Sequence, residues 1–153
     1  MLLRDGIVDA ATWLPSPNFD ERPKEIAIDL LVIHNISLPV GQFQGTYVEQ
    51  LFTNCLDCDN HSDFVDLRDL RVSSHFFIRR DGQLIQFVNC AYRAWHAGVS
   101  EFKGRENCND FSLGVELQGT DWSGFTDAQY SSLTRLTKLL MNSYPELSVE
   151  KIV

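Results

Sequence analysis

Long apolar segments are missing from this sequence. No stretch approaches the roughly 20 consecutive apolar residues that a membrane-spanning helix needs. The opening residues Met-Leu-Leu-Arg-Asp carry no apolar run of the kind that directs secretion. We therefore expect a cytoplasmic protein with no membrane partner. In that compartment the four cysteines are expected to be thiols rather than disulfides.

Positive charge is also scarce. Thirteen Lys and Arg residues stand against 21 Asp and Glu residues, which gives a net charge of -8. Nucleic acids and anionic membrane surfaces require clustered positive charge, so we expect neither as a partner. Repeats, low-complexity segments and a domain linker are absent as well, which predicts that residues 1–153 form one domain. Nothing in the pattern indicates an obligate protein partner.

What the sequence does contain is an alternation of strand and helix patterns. Residues 28–33 are almost wholly apolar, which indicates a central strand buried on both faces. Residues 111–118 alternate between apolar and polar side chains, as a strand with two different faces does. Thr126 opens a capping box, and the amphipathic helix that follows stops at Pro145. These patterns predict an α/β protein.

The remaining segments give weaker signals. Residues 1–27 are broken by three prolines, which predicts an irregular leader that wraps the domain. Residues 46–56 have the apolar spacing of a short helix, and the acidic residues 57–69 are typical of a loop. Residues 148–153 begin a further β-branched run.

Residues 72–88 predict a hairpin. Two alternating runs flank Asp81-Gly82, which has strong two-residue turn chemistry. Counting outward from that turn pairs Ile78 with Ile85 and Phe76 with Phe87. His75 would then lie on a mixed face beside a cleft.

Two residues at strand ends are candidates for catalysis. His34 directly follows the buried run, and in open α/β sheets ligands bind at the carboxyl ends of strands. It is a candidate metal ligand or general base, or else a core histidine satisfied by the backbone. Glu116 lies on the polar face of its strand, where a carboxylate could take and return a proton beside a water-activating metal, or could simply be solvated.

The spacing Cys55-x-x-Cys58-x-x-His61 is a second candidate. It suggests zinc, and Cys90 and Cys108 could complete such a site. The alternative is that these are incidental thiols, because a redox Cys-x-x-Cys normally opens a helix and this pair closes one. We favour the incidental thiols.

A third candidate is the loop Arg93-Ala94-Trp95-His96-Ala97-Gly98. Trp95, His96 and an arginine in one glycine-ended loop suit stacking on a sugar and capture of a carboxylate. The alternative is a loop whose tryptophan fills the core. Scattered arginines could bind an anionic substrate, although such residues are mostly surface charge: Arg71, Arg79, Arg80 and Arg105.

Several motifs together resemble one known family. They are Pro15-Ser16-Pro17-Asn18-Phe19-Asp20, Val32-Ile33-His34-Asn35-Ile36-Ser37-Leu38-Pro39, Ser73-Ser74-His75-Phe76, Ile78-Arg79-Arg80-Asp81-Gly82, Arg93-Ala94-Trp95-His96-Ala97-Gly98-Val99-Ser100 and Asn109-Asp110-Phe111-Ser112-Leu113-Gly114-Val115-Glu116-Leu117. The sequence resembles the AmpD-type 1,6-anhydro-N-acetylmuramoyl-L-alanine amidases of peptidoglycan recycling. More distantly it is similar to bacteriophage T7 lysozyme and the peptidoglycan recognition proteins.

The resemblance implies a fold and a reaction. The fold would be a mixed central β-sheet flanked by helices, with one catalytic Zn²⁺ per complete domain. The zinc-activated water would cleave the amide between anhydromuramic acid and L-alanine of an anhydromuropeptide, a class of molecule that also induces β-lactamase. By this resemblance His34 matches the first zinc ligand and Glu116 the catalytic glutamate. Four further residues fall in stretches that line the family's substrate cleft: Asn35, Arg71, Trp95 and His96.

The sequence departs from the family in one respect. The family's other zinc ligands, a histidine and an aspartate, belong to a segment that reads roughly Gly-His-…-Lys-x-Asp-Pro-Gly, which is not found within residues 1–153. His75 and His96 could stand in, but no spacing requires it. We therefore expect an amidase domain that is incomplete at its C-terminus, with zinc weak or absent, little activity and an uncovered sheet edge that favours association. The alternative is a catalytically silent muropeptide-binding or sensor module.

Overall fold

The computed structural model describes all of residues 1–153 and contains one principal sheet. The strands are β1 (Leu3–Arg4), β2 (Ile7–Val8), β3 (Thr12–Trp13), β4 (Phe19–Asp20), β5 (Leu30–Ile36), β6 (Phe76–Ile78), β7 (Leu84–Gln86), β8 (Arg93–Ala94), β9 (Glu101–Phe102), β10 (Arg105–Glu106) and β11 (Ser112–Gln118). The helices are α1 (Tyr47–Phe52) and α2 (Asp127–Ser143), with short 3-10 turns at Ser62–Leu67, Cys108–Asp110 and Val149–Lys151.

The principal sheet has the order β3-β7-β6-β11-β5. β11 runs parallel to both of its neighbours, and the β6–β7 pair is antiparallel, so the sheet is mixed as expected. On one face Leu113, Val115 and Leu117 of β11 pack against Leu136 and Leu140 of α2. The opposite face of β11 carries its polar residues, of which Ser112 lies 3.0 Å from His96 Nε2 and the Gln118 amide donates to the Phe43 carbonyl at 3.2 Å. The alternation of apolar and polar side chains along residues 112–118 therefore places the apolar ones in the core and the polar ones on the face of the candidate site.

Residues 1–27 contain more regular structure than the irregular leader predicted from the prolines. Asp5 and Gly6 both have positive φ angles and form the turn of a small hairpin between β1 and β2. Farther along, Thr12–Trp13 adds a parallel strand to the edge of the principal sheet beside β7. The prolines therefore limit the length of the leader's strands without preventing their pairing.

The register of the predicted hairpin was wrong by one residue. Ile78 pairs with Leu84 and Phe77 with Ile85. The reason is a three-residue loop in which Gly82 is left-handed, with a φ of +84°, so the strands do not meet across a two-residue turn. A one-residue slip moves side chains to the opposite face, which puts Ile85 beside Phe77.

The outer edge of β5 is only partly covered. Ile152 forms a parallel bridge with Leu31, and Val153 exchanges backbone hydrogen bonds with Leu31 and Ile33. Lys151 anchors this segment through an ion pair with Asp29 at 3.0 Å. The expected β run at residues 148–153 is therefore mostly a 3-10 turn followed by a single bridge.

None of the helices is both long and apolar enough to cross a bilayer.

The capping box of α2 is complete. The Thr126 hydroxyl accepts from the Gln129 N–H, and the Gln129 amide oxygen accepts from the Thr126 N–H, both at 3.1 Å. We expect Thr126→Ala to lower the free energy of unfolding by about 1 kcal/mol, because one helix N–H then loses its partner. Urea unfolding measures this. Thr134→Ala on the exposed side of the same helix is the control and is expected to be neutral or slightly stabilising.

Candidate active site

His34 and Glu116 lie side by side on adjacent parallel strands. They are Cα partners in the pairing of β5 with β11, and both side chains point away from the α2 face. His34 is only partly buried and is followed by the exposed Asn35, so its imidazole remains partly open to solvent. The two candidate residues therefore share one level near the carboxyl edge of the sheet, where α/β proteins place their ligands.

Glu116 is a buried carboxyl group with an unsatisfied oxygen. Its side chain is only 7% exposed, and Oε2 makes no hydrogen bond in the protein. Burial raises the pKa of Glu116 to about 8, because the charged form loses its hydration. A carboxyl group with such a pKa can both hold and release a proton near neutral pH.

A chain of hydrogen bonds links His34 to the strand beside it. His34 Nε2 lies 3.0 Å from His96 Nδ1, and His96 Nε2 lies 3.0 Å from the Ser112 hydroxyl. Burial lowers the pKa of both imidazoles, so both rings are neutral at pH 7. Neutral imidazole is the form of histidine that binds metal ions.

The positions of the protons in these hydrogen bonds decide whether His34 can bind a metal ion. In one arrangement His34 Nε2–H donates to His96 Nδ1, and His96 Nε2–H donates to Ser112. His34 Nδ1, which makes no hydrogen bond in the protein, then carries a free lone pair. In the reverse arrangement His34 Nδ1 is protonated and no lone pair is free. Only the first arrangement allows His34 to act as a ligand, and in that arrangement His96 and Ser112 would orient the ring as partners of metal-binding histidines do.

A glycine makes room for His96. A Cβ atom built on Gly114 of β11 would lie 2.5 Å from His96 Cγ. The Gly114 N–H donates to His75 Nδ1 at 3.0 Å, and His75 Nε2–H donates to the Tyr92 carbonyl at 3.1 Å. Burial is the main reason that the pKa of His75 falls to about 3. His75 is therefore a neutral, fully buried support for the strand and not a second open ligand.

The loop that carries Trp95 and His96 is fixed at several points. The Asn109 side-chain oxygen accepts from the His96 and Ala97 N–H groups at 3.1 and 2.9 Å. The Ser73 hydroxyl accepts from the Trp95 N–H at 3.1 Å. These contacts leave Trp95, the neighbour of His96 in the sequence, partly exposed, so the tryptophan does not fill the core.

The other two predicted cleft residues lie apart from this cluster. Asn35 follows His34 and donates to the Asp121 carboxylate at 2.8 Å. It lines a cavity of about 240 Å³ at the end of the sheet. Arg71 is exposed and donates to the carbonyls of Arg68 and Leu70, next to a separate small cavity. The assignment of both to substrate binding remains a prediction.

The cysteine motif does not form a cluster. Cys55 is exposed, Cys58 is buried, and all four cysteines are free thiols. His61 Nδ1 accepts from the Asp63 N–H at 3.1 Å and so caps the 3-10 turn that follows. These side chains do not converge with a third ligand at a point that could hold a metal, so the structural-zinc interpretation of this motif is wrong.

The chemical types of the groups at the His34 site suit a zinc ion, but the number of those groups is too small. One free imidazole nitrogen and one orphaned carboxylate oxygen are groups that suit zinc chemistry. A catalytic zinc needs three protein ligands, and nowhere in residues 1–153 do three His, Cys, Asp or Glu side chains converge on a common point that could hold a metal. His75 and His96 do not supply the missing ligands, because their nitrogens already have partners within the protein.

Comparison with known proteins decides the family. The model of the N-acetylmuramoyl-L-alanine amidase family matches residues 24–153. The chain belongs to this amidase family. It is 49% identical to the 1,6-anhydro-N-acetylmuramyl-L-alanine amidase AmpD of Escherichia coli strain K12 over 148 residues, which are 97% of this chain and 81% of that relative. The Haemophilus influenzae AmpD is 48% identical and covers 99% of the chain and 82% of its own length.

Solved structures of the amidase family agree with this assignment. A crystal structure of a selenomethionine derivative of AmpD superposes with a TM-score of 0.96 at 48% identity, covering 99% of this chain and 84% of its own. The E. coli amidase AmiD, solved in complex with anhydro-N-acetylmuramic acid-L-Ala-D-γ-Glu-L-Lys, has a TM-score of 0.58 at 25% identity over 87% of this chain and 51% of its own. The mixed sheet with flanking helices is therefore the type 2 amidase fold.

The sequence pattern did not reveal the groups that support the candidate site. Arg22 in the leader donates to the carbonyls of Asp110 and Ser112 at 3.0 and 2.8 Å, which ties the leader to the strand carrying Glu116. In the sequence, Ser112 and Gly114 stand out only as members of the polar face. The spacing of two residues between Ser112, Gly114 and Glu116 was the available signal, because it aligns all three on the face of His34.

Proposed function

We propose that this protein is a zinc-dependent amidase that hydrolyses the amide bond between 1,6-anhydro-N-acetylmuramic acid and L-alanine of the stem peptide. The observation that carries the proposal is the pairing of His34 with the buried, unsatisfied Glu116 in a chain 49% identical to E. coli AmpD. The proposal places the protein in peptidoglycan recycling in the cytoplasm, where anhydromuropeptides also signal the induction of β-lactamase.

The geometry supports a role for each residue of the candidate site. His34 would hold zinc through Nδ1, oriented by its hydrogen bond to His96. When bound, zinc would supply a water molecule activated for attack at neutral pH. Glu116 Oε2 would take the proton of the attacking water and return it to the L-alanine nitrogen that leaves. Trp95, Asn35 and Arg71 would contact the substrate, and His96 would act on it indirectly by orienting His34.

Residues 1–153 alone supply too few zinc ligands for tight binding of the metal. The two further ligands that the family resemblance implies are not among these residues, and one imidazole neither binds zinc tightly nor fixes its geometry. We expect the chain to retain far less than one equivalent of zinc after desalting and to hydrolyse anhydromuropeptide much more slowly than E. coli AmpD. Elemental analysis and a product assay, run in parallel on both proteins with zinc added, measure this.

Either of two outcomes would count against these expectations. Stoichiometric zinc with turnover similar to that of the relative would contradict the expected ligand deficit and support the amidase. No hydrolysis by a preparation that retains stoichiometric zinc would contradict the amidase proposal itself.

A second candidate function is a catalytically silent muropeptide-binding module. The observation that favours it is the lack of a three-ligand metal cluster in residues 1–153. Its distinguishing result is tight binding of intact anhydromuropeptide by a zinc-saturated preparation, with no product formed.

A further inference from the structure

Asn18 is a buried amide in the leader, with only 3% of the residue exposed. Its Nδ2 group donates to the Val72 carbonyl and to the Asn54 side-chain oxygen, both at 2.8 Å. Its Oδ1 atom accepts from Asn54 Nδ2 at 3.0 Å. Both hydrogens and the oxygen of the Asn18 amide therefore have partners, as a buried amide requires.

The backbone of Asn18 is held as well. Its N–H donates to the Ser16 hydroxyl at 3.0 Å, and its carbonyl accepts from the Ser73 hydroxyl at 2.6 Å. Ser73 directly follows Val72, so Asn18 contacts two consecutive residues of the segment that leads into β6. This segment cannot shift along the leader without breaking its hydrogen bonds to Asn18.

Ser73 connects Asn18 to the loop that carries Trp95. The Ser73 N–H donates to the Trp95 carbonyl, and the Ser73 hydroxyl accepts from the Trp95 N–H, both at 3.1 Å. Because the same hydroxyl donates to the Asn18 carbonyl, one oxygen atom bridges the leader and the loop. The pairing of Phe19 with Ala94 adds a second link between them. The backbone of Trp95 is therefore positioned by Asn18 and its neighbours.

Arg71 is connected to the same amide from the other direction. It directly precedes Val72, whose carbonyl accepts from Asn18, and it lies two residues before Ser73, at most about 7 Å along the chain. Arg71 and Asn54 also line the same cavity of about 50 Å³. The Asn18 amide therefore binds both a neighbour of Arg71 in the chain and a neighbour of Arg71 in that cavity.

We propose that Asn18 is a positioning residue that fixes Trp95 and Arg71, two of the predicted substrate contacts, relative to each other. Asn18 hydrogen-bonds to neither side chain and acts on them through Val72 and Ser73. A ligand that contacts both Trp95 and Arg71 binds more tightly when their separation is already set, because less conformational entropy is lost on binding. This inference rests on the proposed function for the roles of Trp95 and Arg71.

The first measurement needs neither metal nor substrate. The protein has three tryptophans, so ¹⁵N labelling gives three indole N–H signals, and Trp95→Phe identifies that of Trp95. We expect Asn18→Ala to shift this signal together with the backbone N–H signal of Arg71. Asn54→Gly tolerates the left-handed backbone at this position and removes only the side-chain partner of Asn18, so it should shift the same two signals by less. Asn60→Ala is the control, because Asn60 is exposed, and should shift neither.

Unmoved signals of Trp95 and Arg71 in folded Asn18→Ala would overturn the inference. If Asn18→Ala does not fold, the decision passes to Asn54→Gly, in which the exposed Asn54 is replaced and the Asn18 side chain is kept. Unmoved signals in that variant overturn the inference equally.

The second measurement separates positioning from a general loss of stability. Anhydromuropeptide is titrated into each folded variant in a chelating buffer, which prevents hydrolysis by zinc. We expect Trp95→Ala to weaken binding by about two- to tenfold in the unsubstituted protein, and to have almost no further effect in Asn18→Ala, where the indole is already displaced. Arg71→Ala should lose its effect in the same way. Effects that simply add would mean that Asn18 only stabilises the fold, which would overturn the inference.

The proposed function fails on a different result. If both signals move and the substitutions do not add, but a zinc-saturated preparation does not hydrolyse the anhydromuropeptide, then Asn18 is a positioning residue of a silent binding module. If hydrolysis occurs while both signals stay unmoved in folded Asn18→Ala, the amidase stands and the role of Asn18 is wrong.

Discussion

Glu116→Gln is expected to stabilise the metal-free protein by about 4 kcal/mol at pH 8.5, while leaving its stability at pH 5 within about 1 kcal/mol of the unsubstituted protein. Burial raises the pKa of this carboxyl from its ordinary 4.5 to about 8. Oε2 has no partner, so ionisation leaves a buried charge without compensation. Glutamine has nearly the same shape and remains neutral.

The direction of the pH dependence follows from proton binding. Between pH 4.5 and 8 the unfolded chain has released the Glu116 proton, while the folded chain still holds it. The folded state therefore binds more protons, and its stability falls as the pH rises through this window. The contribution of the protonated carboxyl is complete below about pH 4.5 and lost above about pH 8. Glu116→Gln should remove this part of the profile.

Urea unfolding from pH 4 to pH 9 in a chelating buffer measures the effect. Glu101→Gln on the exposed β9 strand is the matched control, and we expect it to leave the profile unchanged. A parallel fall in stability for Glu116→Gln and the unsubstituted protein would show that Glu116 is ionised in the fold throughout. If the proposed function holds, the same substitution removes the proton acceptor and lowers turnover by about 10²- to 10⁴-fold.

Gly114→Ala is expected to lower the free energy of unfolding by about 2–4 kcal/mol. The new methyl group would lie 2.5 to 2.8 Å from three atoms of the His96 ring, which is closer than any real contact. Overpacking of this kind typically costs about 1–3 kcal/mol. Moving the ring also breaks its hydrogen bonds to His34 and Ser112, which adds to the cost.

Two measurements check this second prediction. Urea unfolding gives the stability, and ¹⁵N chemical shifts of the histidine rings report whether the His34–His96 bond survives. Gly124→Ala is the control, because a Cβ there meets nothing within 4 Å and the backbone is not left-handed, so it should be neutral or slightly stabilising. A Gly114→Ala protein with unchanged stability and histidine shifts would mean that the ring relocates without loss.

Much of the fold could be predicted from the sequence because the patterns were local. The polar and apolar faces of residues 112–118 and the capping box at Thr126 are each decided by residues close in the chain, and both are confirmed. The hairpin at Asp81-Gly82 was also found. Its register was not, since a single left-handed glycine can end either a two-residue or a three-residue loop.

The site was predictable in part for the same reason. His34 and Glu116 became candidates because each follows or lies on a strand with a clear pattern. The sheet brings them into register, and their catalytic roles remain predictions. The hydrogen bonds of His96 to His34 and Ser112 join residues 62 and 16 positions apart, and no local pattern reports them. The role of Gly114 was hidden too, because what matters there is the space that it leaves for a side chain from another loop.

The parallel pairing of β5 and β11 has a consequence for how the protein folds. Those strands are separated by more than 70 residues, and two parallel partners flank β11 with no hairpin to guide either pairing. Closing such long loops costs chain entropy before any contact compensates, which slows folding. The His34–Glu116 pair cannot exist in a half-folded chain, because it forms only as the central strand docks. Newly made protein therefore has no His34–Glu116 pair until β5 and β11 have docked.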